Sequence, residues 1–316
     1  MPDGHTVAVL GGGSFGTVIG NIAARNRNAV KLWLRNAERA ESINRHQENR
    51  EYLPGYRLNS RLSATTDLTE AVAGVNVLFV AVPSGSFRSV VREVADKISP
   101  ETVVVSLTKG IEAGGFRLMS QILKEEVPNN PVGVLSGPNL AREIASGHVS
   151  GSVIASEIPS ITAPVHDLLH CRNFLIYSSH DMYGVELGGA LKNVYAILSG
   201  VGAAMEFGEN TVGMLLTRSL AEMSRFAVHM GANPLTFLGL AGVGDLFVTC
   251  SSPLSRNYRV GMAIGKGQPL DDVLKEMDQV AEGLNTLKLL KEEADRREVE
   301  MPLDEALHQI LCLLYT

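Results

Sequence analysis

Short apolar runs alternate with stretches of helical periodicity through the first half of the chain. Residues 7–10 (Val-Ala-Val-Leu) form the first run, which breaks into Gly11-x-Gly13-x-x-Gly16. Residues 17–26 then predict a helix with Gly20, Ala23 and Ala24 on its packing side. Further strands are predicted at 30–34, 76–82, 102–107 and 131–135, with two shorter ones at 152–155 and 174–177. Asp67-x-x-Glu70 reads as a capping box opening a short helix, another helix begins at Pro83-Ser84, and a third covers 140–145. This alternation predicts a mainly parallel, doubly wound α/β sheet. From residue 185 onward no run predicts a strand. Helices are expected at 183–207, 211–230, 270–277 and 283–298, with a last one near the C-terminus. The economical division is an α/β domain over 1–180 and an all-helical domain over 181–316.

Composition narrows what these domains do. The 316 residues are 45% hydrophobic and 20% charged, ordinary values for a globular protein. A net charge of −6 argues against nucleic acid as a partner. An anionic small molecule would need local Lys, Arg and backbone N–H groups to hold it. Cys171, Cys250 and Cys312 fit neither a zinc spacing nor a disulfide framework, and the eight histidines form no metal-ligand pattern, so no metal is expected. An apolar strand so close to Met1 leaves no room for a signal peptide, and no apolar run is long enough for a membrane span. A soluble, cytoplasmic protein is the expectation.

The glycine pattern carries the first chemical signal. Gly11 permits a tight turn, Gly13 lets a pyrophosphate approach the backbone, and Gly16 allows close packing of the following helix, whose first-turn N–H groups face phosphates. A glycine-rich strand-to-helix turn also occurs with no ligand. Arg35 stands 24 positions after Gly11, at the end of the second strand. There it either accommodates the 2′-phosphate of NADP or is a solvated strand-end charge. Lys109 follows the 102–107 strand, where open α/β sheets place their ligands, or is a loop charge. Lys192 stands almost alone among small and apolar residues; it is either a buried proton donor or a side chain snorkelling to solvent. Asp245, bracketed by Gly242-Val243-Gly244, either holds an ammonium or caps a helix. Ser255-Arg256-Asn257 reads as a polar loop, either a phosphate clamp or a solvated segment.

Together these residues resemble a known family over nearly the whole chain. The match runs through Gly11-Gly12-Gly13-Ser14-Phe15-Gly16-Thr17, Ser106-Leu107-Thr108-Lys109-Gly110, Ser136-Gly137-Pro138-Asn139-Leu140-Ala141, residues 187–193, Gly244-Asp245-Leu246, Ser255-Arg256-Asn257 and Val280-Ala281-Glu282-Gly283. Their order and spacing are similar to those of bacterial NAD(P)-dependent sn-glycerol-3-phosphate dehydrogenases. The resemblance implies a Rossmann domain followed by a helical domain, and a homodimer. It implies that Gly11, Gly13, Gly16, Ser14, Phe15, Arg35 and Ala141 serve the cofactor, NADPH with NADH as an alternative, and that Val280 and Glu282 close over its nicotinamide end. Lys109 would lie near cofactor and substrate, with Gly137 and Asn139 lining the substrate site. Lys192 would be the proton donor and acceptor, with Asn193, Asp245 and Thr249 beside it. Ser255, Arg256 and Asn257 would hold the substrate phosphate, Arg256 also reaching the cofactor. Two positions depart from the family pattern: Gly12, where Ala is common, and Asn139, where Thr or Ser is frequent.

The implied reaction is reversible reduction of dihydroxyacetone phosphate to sn-glycerol 3-phosphate, serving glycerophospholipid synthesis. A related reductase acting on ketopantoate or a 3-hydroxy acid is the alternative within enzymology, and a non-catalytic dinucleotide sensor is the alternative outside it. The phosphate clamp argues against the first. A lone Lys beside a carboxylate, of no use to a sensor, argues against the second.

Overall fold

The computed structural model describes residues 4–275 and 282–314. The chain separates into two compact units, one comprising 1–108 with 119–182 and the other 109–118 with 183–316. The division is therefore discontinuous, where the sequence pattern predicts a single cut at 180/181.

The first unit runs β1 (Thr6–Leu10), α1 (Ser14–Arg25), β2 (Ala29–Trp33), α2 (Ala37–His46), β3 (Leu62–Thr65), α3 (Leu68–Val72), β4 (Val77–Val80), α4 (Ser84–Val94) and β5 (Val103–Ser106). It resumes with α5 (Met119–Glu126), β6 (Val132–Ser136), α6 (Ala141–Ala145), β7 (Ser150–Ala155), α7 (Pro159–Leu169) and β8 (Phe174–Ser179). The strands form one sheet in the order β3-β2-β1-β4-β5-β6-β7-β8, parallel throughout except for the antiparallel β6–β7 pair. The strand order reverses between β1 and β4, which places the crevice for a ligand beyond their carboxyl ends. Every residue of β4 and β6 is buried, as expected of strands covered on both faces, and this is why they read as uninterrupted apolar runs.

Several elements depart from the sequence reading. Strand β3 and helices α2, α5 and α7 are not among the predicted elements. The Asp67 half of the predicted capping box is present, its carboxylate accepting the N–H groups of Thr69 and Glu70. The reciprocal arm is not, because Glu70 instead pairs with Lys31 at 2.6 Å and accepts from Thr65 at 2.7 Å.

The second unit contains α8 (Met182–Ala204), α9 (Glu209–His229), a 3-10 turn (Pro234–Leu238), a π-helical turn (Leu240–Gly244), α10 (Asp245–Ser251), α11 (Arg256–Gly265), α12 (Leu270–Lys275), α13 (Glu282–Arg297) and α14 (Pro302–Leu314). No helix among the described residues is long and apolar enough to cross a membrane. Glycines set the helix spacing. A Cβ on Gly261 of α11 would lie 1.9 Å from the Ile197 carbonyl oxygen of α8, and one on Gly200 would lie 2.1 Å from that of Tyr258. The two backbones therefore touch, and the first turn of α11 is held against α8.

The core of this unit also contains an acidic cluster. The carboxylate of Glu222 accepts the N–H groups of Leu303 and Asp304, each at 3.0 Å, capping α14, and Tyr195 Oη donates to it at 3.4 Å. Asp304 itself is fully buried, and neither of its carboxyl oxygens has a hydrogen-bond partner. Burial first, and the negative charge of Glu222 second, push its pKa from 3.8 up to about 8. The folded state thus keeps a proton that the unfolded chain releases above pH 4, and native stability falls as pH rises toward 8. Asp304→Asn cannot ionise. Its melting temperature relative to the wild type should climb between pH 5 and pH 8, corresponding to about 1 kcal/mol of relative stability per pH unit. A pH-independent difference in thermal melts would refute this.

Candidate functional site

In the first unit the glycine loop sits where the strand order reverses. Gly11 leaves β1 at φ +123°, and a Cβ there would stand 2.5 Å from the Ala81 carbonyl oxygen, just past β4. Its N–H donates to the Trp33 carbonyl at 2.9 Å. A Cβ on Gly16 would approach the Gly11 carbonyl oxygen to 2.1 Å, so the close contact this glycine permits is chiefly between helix and loop. Gly13 differs: a Cβ there would meet no protein atom within 4 Å. Helix α1 begins directly after it with no side-chain cap. An open approach to bare backbone at a helix N-terminus suits a dinucleotide pyrophosphate, so the residues present fit such a cofactor.

The surrounding residues complete this region. Phe15, and Ala141 of α6, pack as half-buried apolar groups on the core cluster of the unit. The Ser14 hydroxyl donates to the Tyr52 carbonyl at 2.7 Å. Arg35, two residues past β2, is exposed and forms no ion pair with the described residues. Arg39, by contrast, pairs with Glu51 and lies 4.6 Å over the Tyr52 ring. Gly137 leaves β6 at φ +146°. Nearby, Asn139 donates through Nδ2 to the Ser152 hydroxyl at 3.0 Å, while its buried Oδ1 has no partner and remains an unused acceptor.

The sequence reading passed over Asn49. It is fully buried, and its Nδ2 donates at 2.8 Å to both the Gly12 carbonyl and the Thr17 hydroxyl. An amide in a connecting segment without periodicity gives no signal from which this contact could be read.

In the second unit three charged groups converge. Asp245 is only 1% exposed, and its two carboxylate oxygens each take one ammonium: Oδ1 meets Lys192 Nζ at 2.7 Å and Oδ2 meets Lys109 Nζ at 2.7 Å. Lys192, 6% exposed, does not snorkel. It also donates to the Thr249 hydroxyl, which in turn donates to the Asp245 carbonyl at 2.6 Å. Burial is the main cause that brings the Lys109 pKa down from 10.5 to about 8; Asp245 opposes this and Lys192 adds to it. Asn193 follows on α8, buried, with Nδ2 donating to the Gly189 carbonyl at 3.4 Å. Asp245 is the first residue of α10, entered through the π-helical turn, and Gly244 occupies the cap position. Asp245 therefore does not N-cap α10, although it stands at the C-cap position of the π-helical turn, and its carboxylate is taken by the two ammonium groups.

Ser255-Arg256-Asn257 is likewise not a loop. Ser255 is the N-cap of α11, its hydroxyl accepting the Tyr258 N–H at 3.3 Å, and Arg256 and Asn257 form the first turn. Polar residues at a helix start resemble a loop in sequence because they serve as caps. Asn257 accepts the Gly283 N–H at 3.1 Å. A Cβ on Gly283 would stand 2.7 Å from both the Asn193 carbonyl oxygen and Asn257 Oδ1, so α13 meets α8 and α11 at a residue with no side chain. Glu282 opens α13, and Val280 lies outside the described residues.

Both parts of the chain are similar to known proteins. Residues 6–162 match the family model described as NAD-dependent glycerol-3-phosphate dehydrogenase N-terminus, and residues 181–313 match its C-terminus counterpart. The chain belongs to this family. A glycerol-3-phosphate dehydrogenase (NAD(P)+) from Teredinibacter turnerae is 55% identical over 311 residues, covering 98% of this chain and 92% of that protein. One from Acinetobacter baumannii is 53% identical over 305 residues, covering 96% and 85%. The crystal structure of glycerol-3-phosphate dehydrogenase from Coxiella burnetii aligns with TM-score 0.93 at 34% identity, covering 98% of this chain and 95% of that one.

The glycine loop makes a graded prediction. At Gly12 an added Cβ would lie 2.9 Å from Leu34 Cβ, an atom with no rotameric freedom to withdraw. Gly12→Ala should therefore cost about 1–3 kcal/mol in urea unfolding, the usual penalty for overpacking. Gly13→Ala, facing open space, should stay within about 1 kcal/mol of the wild type. Equal costs at the two positions would contradict the geometry.

Proposed function

We propose that the protein catalyses reversible reduction of dihydroxyacetone phosphate to sn-glycerol 3-phosphate, with NADPH as the preferred cofactor and NADH as an alternative. The observation that carries this reading is the single carboxylate of Asp245 shared by Lys192 and Lys109. A bound reduced nicotinamide supplies the hydride for C2 of the substrate. The protein supplies the matching proton. Lys192 has three N–H bonds as an ammonium, two of which go to Asp245 and Thr249, so the third is left for the substrate oxygen. After the proton passes to the developing alkoxide, the neutral amine can keep the same two bonds and turn its lone pair to the new hydroxyl. The same anchorage therefore serves the reverse reaction. Lys109 remains paired with Asp245 and keeps positive potential beside the oxygen.

The substrate phosphate is assigned to Ser255, Arg256 and Asn257 at the start of α11, where a guanidinium and helix amides favour an anion. Gly137 and Asn139 are assigned to the substrate as well, and Asn193 to the support of Lys192. The cofactor is assigned to Gly11, Gly13, Ser14, Phe15, Gly16 and Ala141, with Arg35 reading the 2′-phosphate and Lys109, Arg256, Val280 and Glu282 serving its other end. A role in supplying glycerophospholipid synthesis follows from the product. A reducing, cytoplasmic setting suits three free thiols. Residues 1–180 would act as the dinucleotide-binding domain and 181–316 as the substrate domain.

The decisive assay follows NADPH absorbance at 340 nm with dihydroxyacetone phosphate. Lys192→Met should lower kcat by at least about 100-fold, the usual contribution of general acid–base catalysis, while NADPH still binds. Near-normal turnover in that variant would sink the assignment, and oxidation with ketopantoate but not dihydroxyacetone phosphate would transfer it to the related reductases.

A homodimer is also proposed. Leu235 and Leu238 of the 3-10 turn, Val243 of the π-helical turn, Phe247 of α10 and Met214 of α9 are exposed large apolar residues on elements packed together in one unit. Light scattering should give twice the chain mass of 33.9 kDa, and the pair Leu235→Asp with Leu238→Asp should halve it. A wild-type monomer would exclude this assembly.

A further inference from the structure

The segment after α2 returns to the glycine loop and grips it from behind. Leu53 and Leu58 anchor the segment in the core, and Tyr56 Oη shares a hydrogen bond of 2.7 Å with the Ser146 hydroxyl at the end of α6. Within it the Asn49 amide divides its work. Its two N–H bonds go to the Gly12 carbonyl and the Thr17 hydroxyl, and its Oδ1 accepts the Tyr52 N–H at 3.4 Å. Thr17 adds a weaker bond from its own hydroxyl to the Gly12 carbonyl, at 3.4 Å.

The consequence lies in the geometry of one peptide unit. In a planar trans peptide the C=O of one residue and the N–H of the next point in opposite directions. Drawing the Gly12 carbonyl toward Asn49 therefore turns the Gly13 N–H away from it. The Gly13 N–H has no acceptor among the described residues, and Gly13 is the one residue of the loop whose Cβ position is open. Glycines on both sides of this peptide leave it free to rotate unless something holds it.

We propose that Asn49 is a positioning residue for the cofactor: by fixing the Gly12–Gly13 peptide it aims the Gly13 N–H at the dinucleotide pyrophosphate. This rests on the reading of the loop as a dinucleotide site. Asn49 touches no substrate or reacting atom, so its effect falls on cofactor affinity. It acts on the part common to both cofactors, in contrast to Arg35.

Asn49→Ala and Asn49→Asp separate the roles of the two ends of the amide. Ala removes both ends. Asp keeps the acceptor for Tyr52 N–H and loses the donors to Gly12 and Thr17. Both variants should weaken binding of NADPH and of NADH about tenfold, by fluorescence titration, the size expected for a buried hydrogen-bond partner removed. The KM for cofactor should rise in parallel, with kcat at saturating cofactor and the KM for dihydroxyacetone phosphate within about twofold. Thr17→Val, which leaves the Asn49–Gly12 bond in place, should lose about threefold and serves if Asn49→Ala does not fold. Wild-type affinity in Asn49→Asp would reduce Asn49 to a turn former and overturn the proposal, as would a loss confined to NADPH. Failure of the wild-type protein to bind either dinucleotide would instead overturn the reading of the loop itself.

Discussion

A carboxylate buried between two ammonium groups is the constraint on which the second unit depends. Asp245 alone in that interior would be strongly destabilising, and either lysine alone would face a similar desolvation cost. Together they leave one net positive charge held by directed bonds. Bringing them together requires three separate pieces of chain: the 109–118 segment, α8, and the π-helical turn that leads into α10. The wide π-helical turn delivers Asp245 as the first residue of a helix, where a negative charge also meets the favourable end of the helix dipole.

The first unit solves a different problem, and it uses backbone where the second uses side chains. A loop of glycines can present N–H groups at close range, but its freedom works against a defined orientation. The surrounding atoms remove that freedom one residue at a time. The Ala81 carbonyl restricts Gly11, Leu34 restricts Gly12, and the Gly11 carbonyl restricts Gly16. Asn49 fixes the carbonyl that packing alone leaves free to turn.

Much of the architecture was legible in the sequence because its physical causes are local. Strands buried on both faces must be continuously apolar, so β1, β4, β5 and β6 stood out, and the glycine spacing located the turn after β1. Strand β3 was missed because Leu-Ser-Ala-Thr is short and half polar, carrying too little pattern to distinguish it. The start of α11 reads as a loop in sequence because its capping residues are the polar ones that loops also favour. The lysine at 192 was conspicuous in its apolar surroundings, but what it touches was not. Thr249 lies 57 residues away, and Lys109, which shares Asp245 with Lys192, stands 136 residues from that carboxylate. Such partnerships are products of topology, and no local pattern encodes them.

The contact between α8 and α11 fixes a distance on which the proposed function draws. Where helices meet through side chains, rotamer changes let the spacing breathe. Where Gly200 meets Tyr258, and Gly261 meets Ile197, backbone rests on backbone and there is nothing to rotate. On the proposed reading, in which Lys192 of α8 gives the proton and the first turn of α11 holds the anion, the two are set apart like the jaws of a locked caliper. On that reading a molecule would be measured by the reach from its carbonyl to its anionic end, with no side chain needed to turn away one that is a carbon too long or too short.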